Sequence, residues 1–166
     1  MTRCKSGPGR NALARAFLLL LIASTIPLPA LAQSGGAAVQ TPATPDERTS
    51  LKLLWSTMAA VDHANRTGNY SVLRDLGTAG FQANNNAATL AGVFAGIRTR
   101  NTDLAETLTV TPSWDIAPKI AQNGALRMRG TFPLRPTPIA FDLLFAWEQG
   151  AWRLDGVAVQ PMPPKP

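Results

Sequence analysis

A chain of 166 residues with 45% hydrophobic and 16% charged side chains suits one globular domain with short appendages. Its formal charge of +6 invites a nucleic-acid or membrane reading, but four of the 16 basic residues (Arg3, Lys5, Arg10 and Arg15) lie in the first 32 positions, which hold no acid. The remainder is nearly balanced, with 12 basic against 10 acidic residues, and this excludes an extended phosphate-binding footprint.

The basic stretch ending at Arg15 leads into the apolar run AFLLLLIASTI, and ALAQ supplies a small-x-small cleavage site after Ala32. Residues 1–32 therefore read as a secretory signal peptide, and a periplasmic or secreted protein is expected. The apolar run is too short to cross a bilayer, so no stable membrane anchor is expected after cleavage. Cys4 lies upstream of the run and leaves with the signal. The mature chain then needs no disulfide and has no thiolate for catalysis or metal binding. Residues 33–44, QSGGAAVQTPAT, lack apolar periodicity and read as a flexible linker. The domain proper spans 45–161, and 162–166 form a Pro-rich tail.

TPDE opens the first helix, with Thr44 as N-cap, Pro45 at the first helical position and Glu47 completing a capping box. Leu51, Leu54, Trp55, Met58 and Val61 follow at helical spacing, and Gly68 ends the helix. A second, short helix is expected through YSVLRDL, capped by Asn69 and ended by Gly77. GTAGFQANNN reads as an irregular loop. Asn86 then caps a third helix whose buried face is Leu90, Val93, Phe94 and Ile97, with Arg98 and Arg100 at its C-terminal end.

Beyond Asp103 the apolar period falls to two. In TLTVTPSWDI, Leu108, Val110, Trp114 and Ile116 alternate with Thr107, Thr109, Thr111, Ser113 and Asp115. ALRMRGTF places Leu126, Met128 and Phe132 inward. IAFDLLFAWE does the same for Ile139, Phe141, Leu143, Phe145 and Trp147, and WRLDGVAV begins with Trp152 and Leu154 inward. A two-residue Gln149-Gly150 turn sets Trp147 opposite Trp152, Phe145 opposite Leu154 and Leu143 opposite Gly156. In the earlier hairpin a three-residue loop, 122–124 with Gly124 left-handed, pairs Ile120 with Leu126 and Trp114 with Phe132. PLRPTP connects the second and third strands outside any ladder.

Three N-terminal helices followed by a bent four-stranded antiparallel sheet resemble the nuclear-transport-factor-2-like superfamily, the cystatin-like α+β cone. WEQGAWRLDGVAV looks like the last hairpin of that superfamily. ANRTGNYSVLRDLGTAGFQ, followed by LAGVFAGIRTR, is similar to a group of exported bacterial proteins of this fold. The resemblance covers residues 47–161. It implies helices packed in the concave face of a curved sheet, and it leaves function open among isomerases, dehydratases, transport adaptors and binding domains.

Enzymes resembling ketosteroid isomerase carry acids, bases or oxyanion donors inside the cone, whereas the inward strand faces here carry nothing ionisable. No catalytic residue is therefore assigned, with one alternative. Asp62 lies within the apolar stripe of the first helix and would serve as general base of an isomerase or dehydratase, or else pair with Arg66 or the Tyr70 segment. His63 falls on the opposite side of that helix without a ligand-spaced partner, so no metal site and no cofactor are expected. Asn65-Arg66-Thr67 and Asn69-Tyr70-Ser71 match the glycosylation pattern but read as helix-end and cap residues.

A pocket for a small apolar molecule would be lined by Trp55, Met58, Asp62 and Phe94 from the helices. The strands would add Trp114, Met128, Phe132 and Phe141, then Phe145, Trp147 and Trp152. The outer sheet face, with Ala140, Leu144, Ala146, Val157 and Val159, suits a homodimer contact. The sequence thus points to an exported non-catalytic domain that binds a small apolar ligand or docks to a protein. An accessory subunit of an envelope complex is a further alternative.

Overall fold

A computed structural model describes residues 42–163. The expected signal peptide with its Ala32 cleavage site, the linker before residue 42 and tail residues 164–166 lie outside the described residues. Among the described residues five α-helices precede the sheet: α1 (Glu47–Thr67), α2 (Ser71–Asp75), α3 (Ala79–Asn84), α4 (Ala87–Val93) and α5 (Ala95–Thr99). A 3-10 helix (Ala105–Thr109) leads to four strands, β1 (Ser113–Ile120), β2 (Leu126–Phe132), β3 (Ile139–Glu148) and β4 (Ala151–Pro161). The strands form one antiparallel sheet in the order β1-β2-β3-β4, which makes the described chain α+β.

The N-cap of α1 is Asp46, not Thr44. Its extended backbone carries the first helical carbonyl, bonded by Ser50 N–H at 2.9 Å, and its carboxylate accepts from Thr49 N–H at 2.7 Å. An anion at the positive end of a 21-residue helix is favoured over a neutral hydroxyl two residues earlier. The buried face runs through Ser50, Leu54, Thr57, Met58, Val61 and Ala64, with Leu51 and Trp55 left half-buried on its flank. Gly68, at φ 76°, ends the helix and returns its N–H to Ala64 C=O.

The expected second helix is α2. Tyr70 is its N-cap residue, while Asn69 Oδ1 accepts from Ser71 N–H at 3.0 Å just ahead of it. The expected loop after it instead contains α3. Thr78 caps this helix by accepting from Phe81 N–H, and Phe81 is buried. Asn86 caps the next helix as expected, but the helix breaks at Phe94 into α4 and α5. Leu90, Phe94 and Ile97 are buried there, whereas Val93 is 61% exposed.

The expected first strand is displaced. Residues from Ala105 to Thr109 coil into the 3-10 helix because local side-chain bonds outcompete a ladder: Asp103 accepts from Ala105 N–H, and the Thr107 hydroxyl donates to Leu104 C=O. Thr107 is therefore buried and Leu108 exposed, the reverse of strand alternation. β1 starts only at Ser113.

The β1–β2 hairpin has the expected three-residue loop. Ala121 N–H bonds Ala125 C=O, Gly124 is left-handed at φ 78°, and Ile120 pairs with Leu126. Two register shifts in β1 then bring Trp114 opposite Gly130 rather than Phe132. A Cβ at Gly130 would lie 2.3 Å from Ser113 O and 2.9 Å from Phe141 Cζ, so only glycine lets β1 approach here. Trp114 and Phe141, both partners of Gly130, meet edge-to-face with centroids 5.7 Å apart.

In the β3–β4 hairpin Gln149 and Gly150 both have positive φ, the condition for a type I′ turn. Trp147 pairs with Trp152 and Phe145 with Leu154, but Leu144 pairs with Gly156, leaving Asp155 without a β3 partner. This bulge places Val157 opposite Leu143 and Val159 opposite Phe141, so both valines join the inner face rather than the outer one. The segment after α2 covers part of the β4 edge: Leu154 N–H bonds Leu76 C=O at 3.0 Å, and Thr78 N–H bonds Leu154 C=O at 2.8 Å. Leu126, Met128, Phe132, Ile139, Phe141, Leu143, Phe145 and Leu154 form one buried cluster with Leu54, Met58, Val61, Leu90 and Phe94.

Two predictions follow from these local constraints. Bonding from the Thr49 side chain and then its backbone N–H holds the Asp46 carboxyl below the usual carboxylate range. A depressed carboxyl adds stability above its unfolded pKa and loses it as pH falls through the folded value. The capping contribution should therefore fade on acidification below about pH 4, and Asp46→Asn, which keeps a capping oxygen, should remove that dependence in thermal melts across pH. Gly130→Ala should destabilise the fold by about 3 kcal/mol through overpacking against β1. In the same denaturant titration Gly92→Ala, with open space around it in α4, should stabilise by up to about 1 kcal/mol.

Candidate functional site

The residues expected to line an interior pocket are brought together, but as packing. Met58, Phe94, Met128, Phe132, Phe141 and Phe145 are all buried in the central cluster, and Trp114 and Trp152 pack on its margin. Phe132 and Phe141 rings lie 5.1 Å apart at a tilt of 45°. Trp147 leaves the interior altogether: it is 39% exposed and meets Trp152 edge-on at 5.4 Å near the hairpin tip. Trp55 lines a shallow surface cleft of about 340 Å³ with Glu47, Arg48, Leu51 and Lys52, and its indole Nε1 is buried without a partner among the described residues.

Asp62 is buried on α1, and its Oδ2 lies 3.8 Å from the Nη1 of Arg66, one turn on. Arg66 is largely exposed, so this i, i+4 contact contributes little. Asp62 borders neither the Trp55 cleft nor the larger opening at the far end of the sheet. His63 is exposed, as its helical position requires. Among the described residues no group of three His, Cys, Asp or Glu side chains is placed to hold a metal ion.

The polar cluster that sequence reasoning missed is centred on Tyr70. Its hydroxyl donates to Asn65 Oδ1 at 2.6 Å and accepts from Arg98 Nη1, while Arg98 Nη2 donates to Ala91 C=O at 2.7 Å. The Tyr70 ring stacks on Phe94 at 6.1 Å and 7°, and the Arg98 guanidinium carbon lies 5.5 Å from its centroid. The cluster ties the end of α1 to α2, α4 and α5. Asn65 gives its Oδ1 to this network, with its Nδ2 buried and unpartnered among the described residues, and Asn69 gives its Oδ1 to the turn before α2. The sequence signal for it is slight: Tyr70 is the sole tyrosine, and the place of Arg98 at its helix end points to the helix dipole instead.

The larger opening lies elsewhere, at the end of the sheet remote from the Gln149-Gly150 turn. It is an open cleft of about 910 Å³ bounded by three segments: Arg100, Thr102, Asp103 and Glu106; Leu134 to Thr137 with Ile139; and Pro161, Met162 and Pro163. None of the expected pocket residues borders it.

No protein-family model, curated protein or solved structure matches the chain. The roles of these groups therefore rest on geometry. If the Tyr70 cluster is a structural joint, Tyr70→Phe leaves Arg98 and Asn65 without their shared oxygen and should cost about 2 kcal/mol. A denaturant titration checks this, with Thr99→Ala on the exposed side of α5 as the near-neutral comparison.

Proposed function

We propose that the domain is an exported, non-catalytic module that acts by docking to protein. The observation that carries this reading is the packing of the aromatic residues at the centre. Their buried side chains pack together between helices and sheet, where a small apolar ligand or a substrate would have to sit. In finer detail, we read the fold as a curved sheet with helices in its concave face, of the nuclear-transport-factor-2-like kind. The bulges in β1 and β4 support this, because bulges bend and twist the strands that carry them.

The docking surface we assign is the outer sheet face. Ala140, Leu144 and Ala146 of β3 are half-buried there, and Leu144 lies over Gly156, its Cδ1 3.2 Å from where a Cβ would stand. Arg127 bonds Asp142 across the neighbouring strands through Nε at 3.0 Å and Nη2 at 2.5 Å, a two-point contact that orients the arginine. Ala140, Ala146 and Gly156 keep part of the face low, and Arg127 and Asp142, beside Arg129 and Arg153, give it both charge signs with which to match a second copy of itself. An accessory role in an envelope assembly would use the same face.

Sedimentation velocity tests the reading. The protein should dimerise with a Kd near or below about 10 µM, and Leu144→Arg should give a monomer with an unchanged melting temperature. A wild-type monomer at about 100 µM sinks the self-docking assignment. A saturable change in tryptophan emission on titration with a fatty acid or steroid would instead restore small-ligand binding.

A further inference from the structure

We propose that the open cleft at the far end of the sheet receives an extended peptide segment of a partner protein, one that carries an apolar anchor flanked by an acidic and a basic residue. The proposal rests on the docking reading but uses a different surface.

The floor of the cleft is apolar and continuous with the core: Ile139 is 1% exposed, and Leu134 and Met162 are half-buried beside it. Such a floor takes an aliphatic or aromatic side chain, and a methionine at its edge adapts to the shape it meets. The rim carries Arg100 and Arg135 with Asp103 and Glu106, all exposed. Among the described residues none of these four joins an ion pair, although the chain forms such pairs at Arg66–Asp62, Arg74–Asp75 and Arg127–Asp142. Asp103 uses one oxygen to cap Ala105 N–H, and its second oxygen makes no hydrogen bond among the described residues.

These groups narrow the occupant. The two carboxylates repel a polyanion and the two guanidinium groups repel a polycation. A purely apolar ligand would desolvate the rim charges without replacing their water. A ligand with both signs and an apolar centre satisfies all of them, and in an exported protein the common molecule of that description is polypeptide.

The backbone shows how such a segment would be held. Pro136, Pro161 and Pro163 have no N–H to offer, and Met162 N–H is already bonded to Pro138 C=O at 2.8 Å, so strand addition is closed off at this end. Recognition therefore runs through side chains. A volume of about 910 Å³ exceeds what one anchor side chain needs and leaves room for its neighbours.

The test is a ¹H–¹⁵N NMR titration of the full chain with the blocked tetrapeptide Glu-Leu-Leu-Lys. Shifts should centre on the backbone of Arg100, Asp103, Glu106 and Leu134 to Ile139, with a Kd on the order of 1 mM that weakens at high salt. The double variant Arg100→Glu/Arg135→Glu should lose the tetrapeptide by about tenfold or more and gain the blocked peptide Lys-Leu-Leu-Lys, a gain that an unfolded variant would not show. Equal shifts with the uncharged Gln-Leu-Leu-Gln, shifts centred on the outer sheet face, or no shifts at about 10 mM peptide would each overturn the proposal. A dimer by sedimentation without peptide shifts removes this cleft and leaves the outer-face docking intact. Peptide shifts on a monomer keep the cleft and remove that face.

Discussion

The inner face of β4 is continuous only because Asp155 is left out of the ladder with β3. Without that omitted residue, strict alternation would carry Trp152 and Leu154 inward and then send Val157 and Val159 to the outer side. The bulge resets the phase, and all four residues serve one core. The bulged residue is also put to use. Asp155 accepts from the Thr78 hydroxyl at 2.8 Å, the same oxygen accepts from Phe81 N–H to cap α3, and Glu148 takes Ala79 N–H at 3.0 Å. One irregularity in the last strand thereby seats a helix that begins more than seventy residues earlier. Because Leu76 and Thr78 also bond both backbone groups of Leu154, this edge of the sheet is occupied where it would otherwise invite a foreign strand.

A second irregularity does the same on the opposite edge. β1 approaches β2 closely at Gly130, and the missing side chain is replaced by the Trp114–Phe141 contact across it. The core is thus closed on the β1 side by Trp114 with Phe141, while the exposed Trp147 meets Trp152 at the tip of the β3–β4 hairpin. Deep side chains held this way have few alternative rotamers, and interiors at crystal-like density admit a ligand only by displacing something.

The sequence was most informative where local pattern and tertiary need agreed. The alternation in β2 and β3, the Trp147–Trp152 pairing and the left-handed Gly124 loop were legible because period and turn chemistry each specify them alone. It misled where a single residue shifts phase. Nothing in RLDGVAV marks Asp155 as the extra residue, since Gly156 beside it is equally suited to a bulge. TLTVT has strand composition, yet Asp103 and Thr107 bond their own backbone and coil it. FQAN looked like a loop because its one buried residue, Phe81, gives no period. The candidate cleft was invisible for another reason: its walls come from three distant segments, and only the fold brings Arg100, Arg135 and Met162 to one opening.

The distribution of polar groups gives the last step. Inside, Thr57 and Thr107 bond carbonyls of their own turns, Leu53 and Leu104, whereas Tyr70 joins elements through Asn65 and Arg98, and Thr78 does so through Asp155. A general acid or base needs access to a reacting atom, and Asp62, the buried carboxylate, opens onto neither cleft. At the surface, the outer sheet face holds Arg127 and Asp142 in a two-bond pair beside Arg129 and Arg153, whereas the charges around the Pro-lined cleft are unpaired among the described residues. A fixed pair favours a repeated, geometrically exact contact such as a symmetric interface, since little side-chain entropy is left to lose. Free charges over an apolar floor favour a partner that supplies its own complement and can exchange. On the docking reading proposed above, the outer face would serve a symmetric contact and the cleft an exchangeable one.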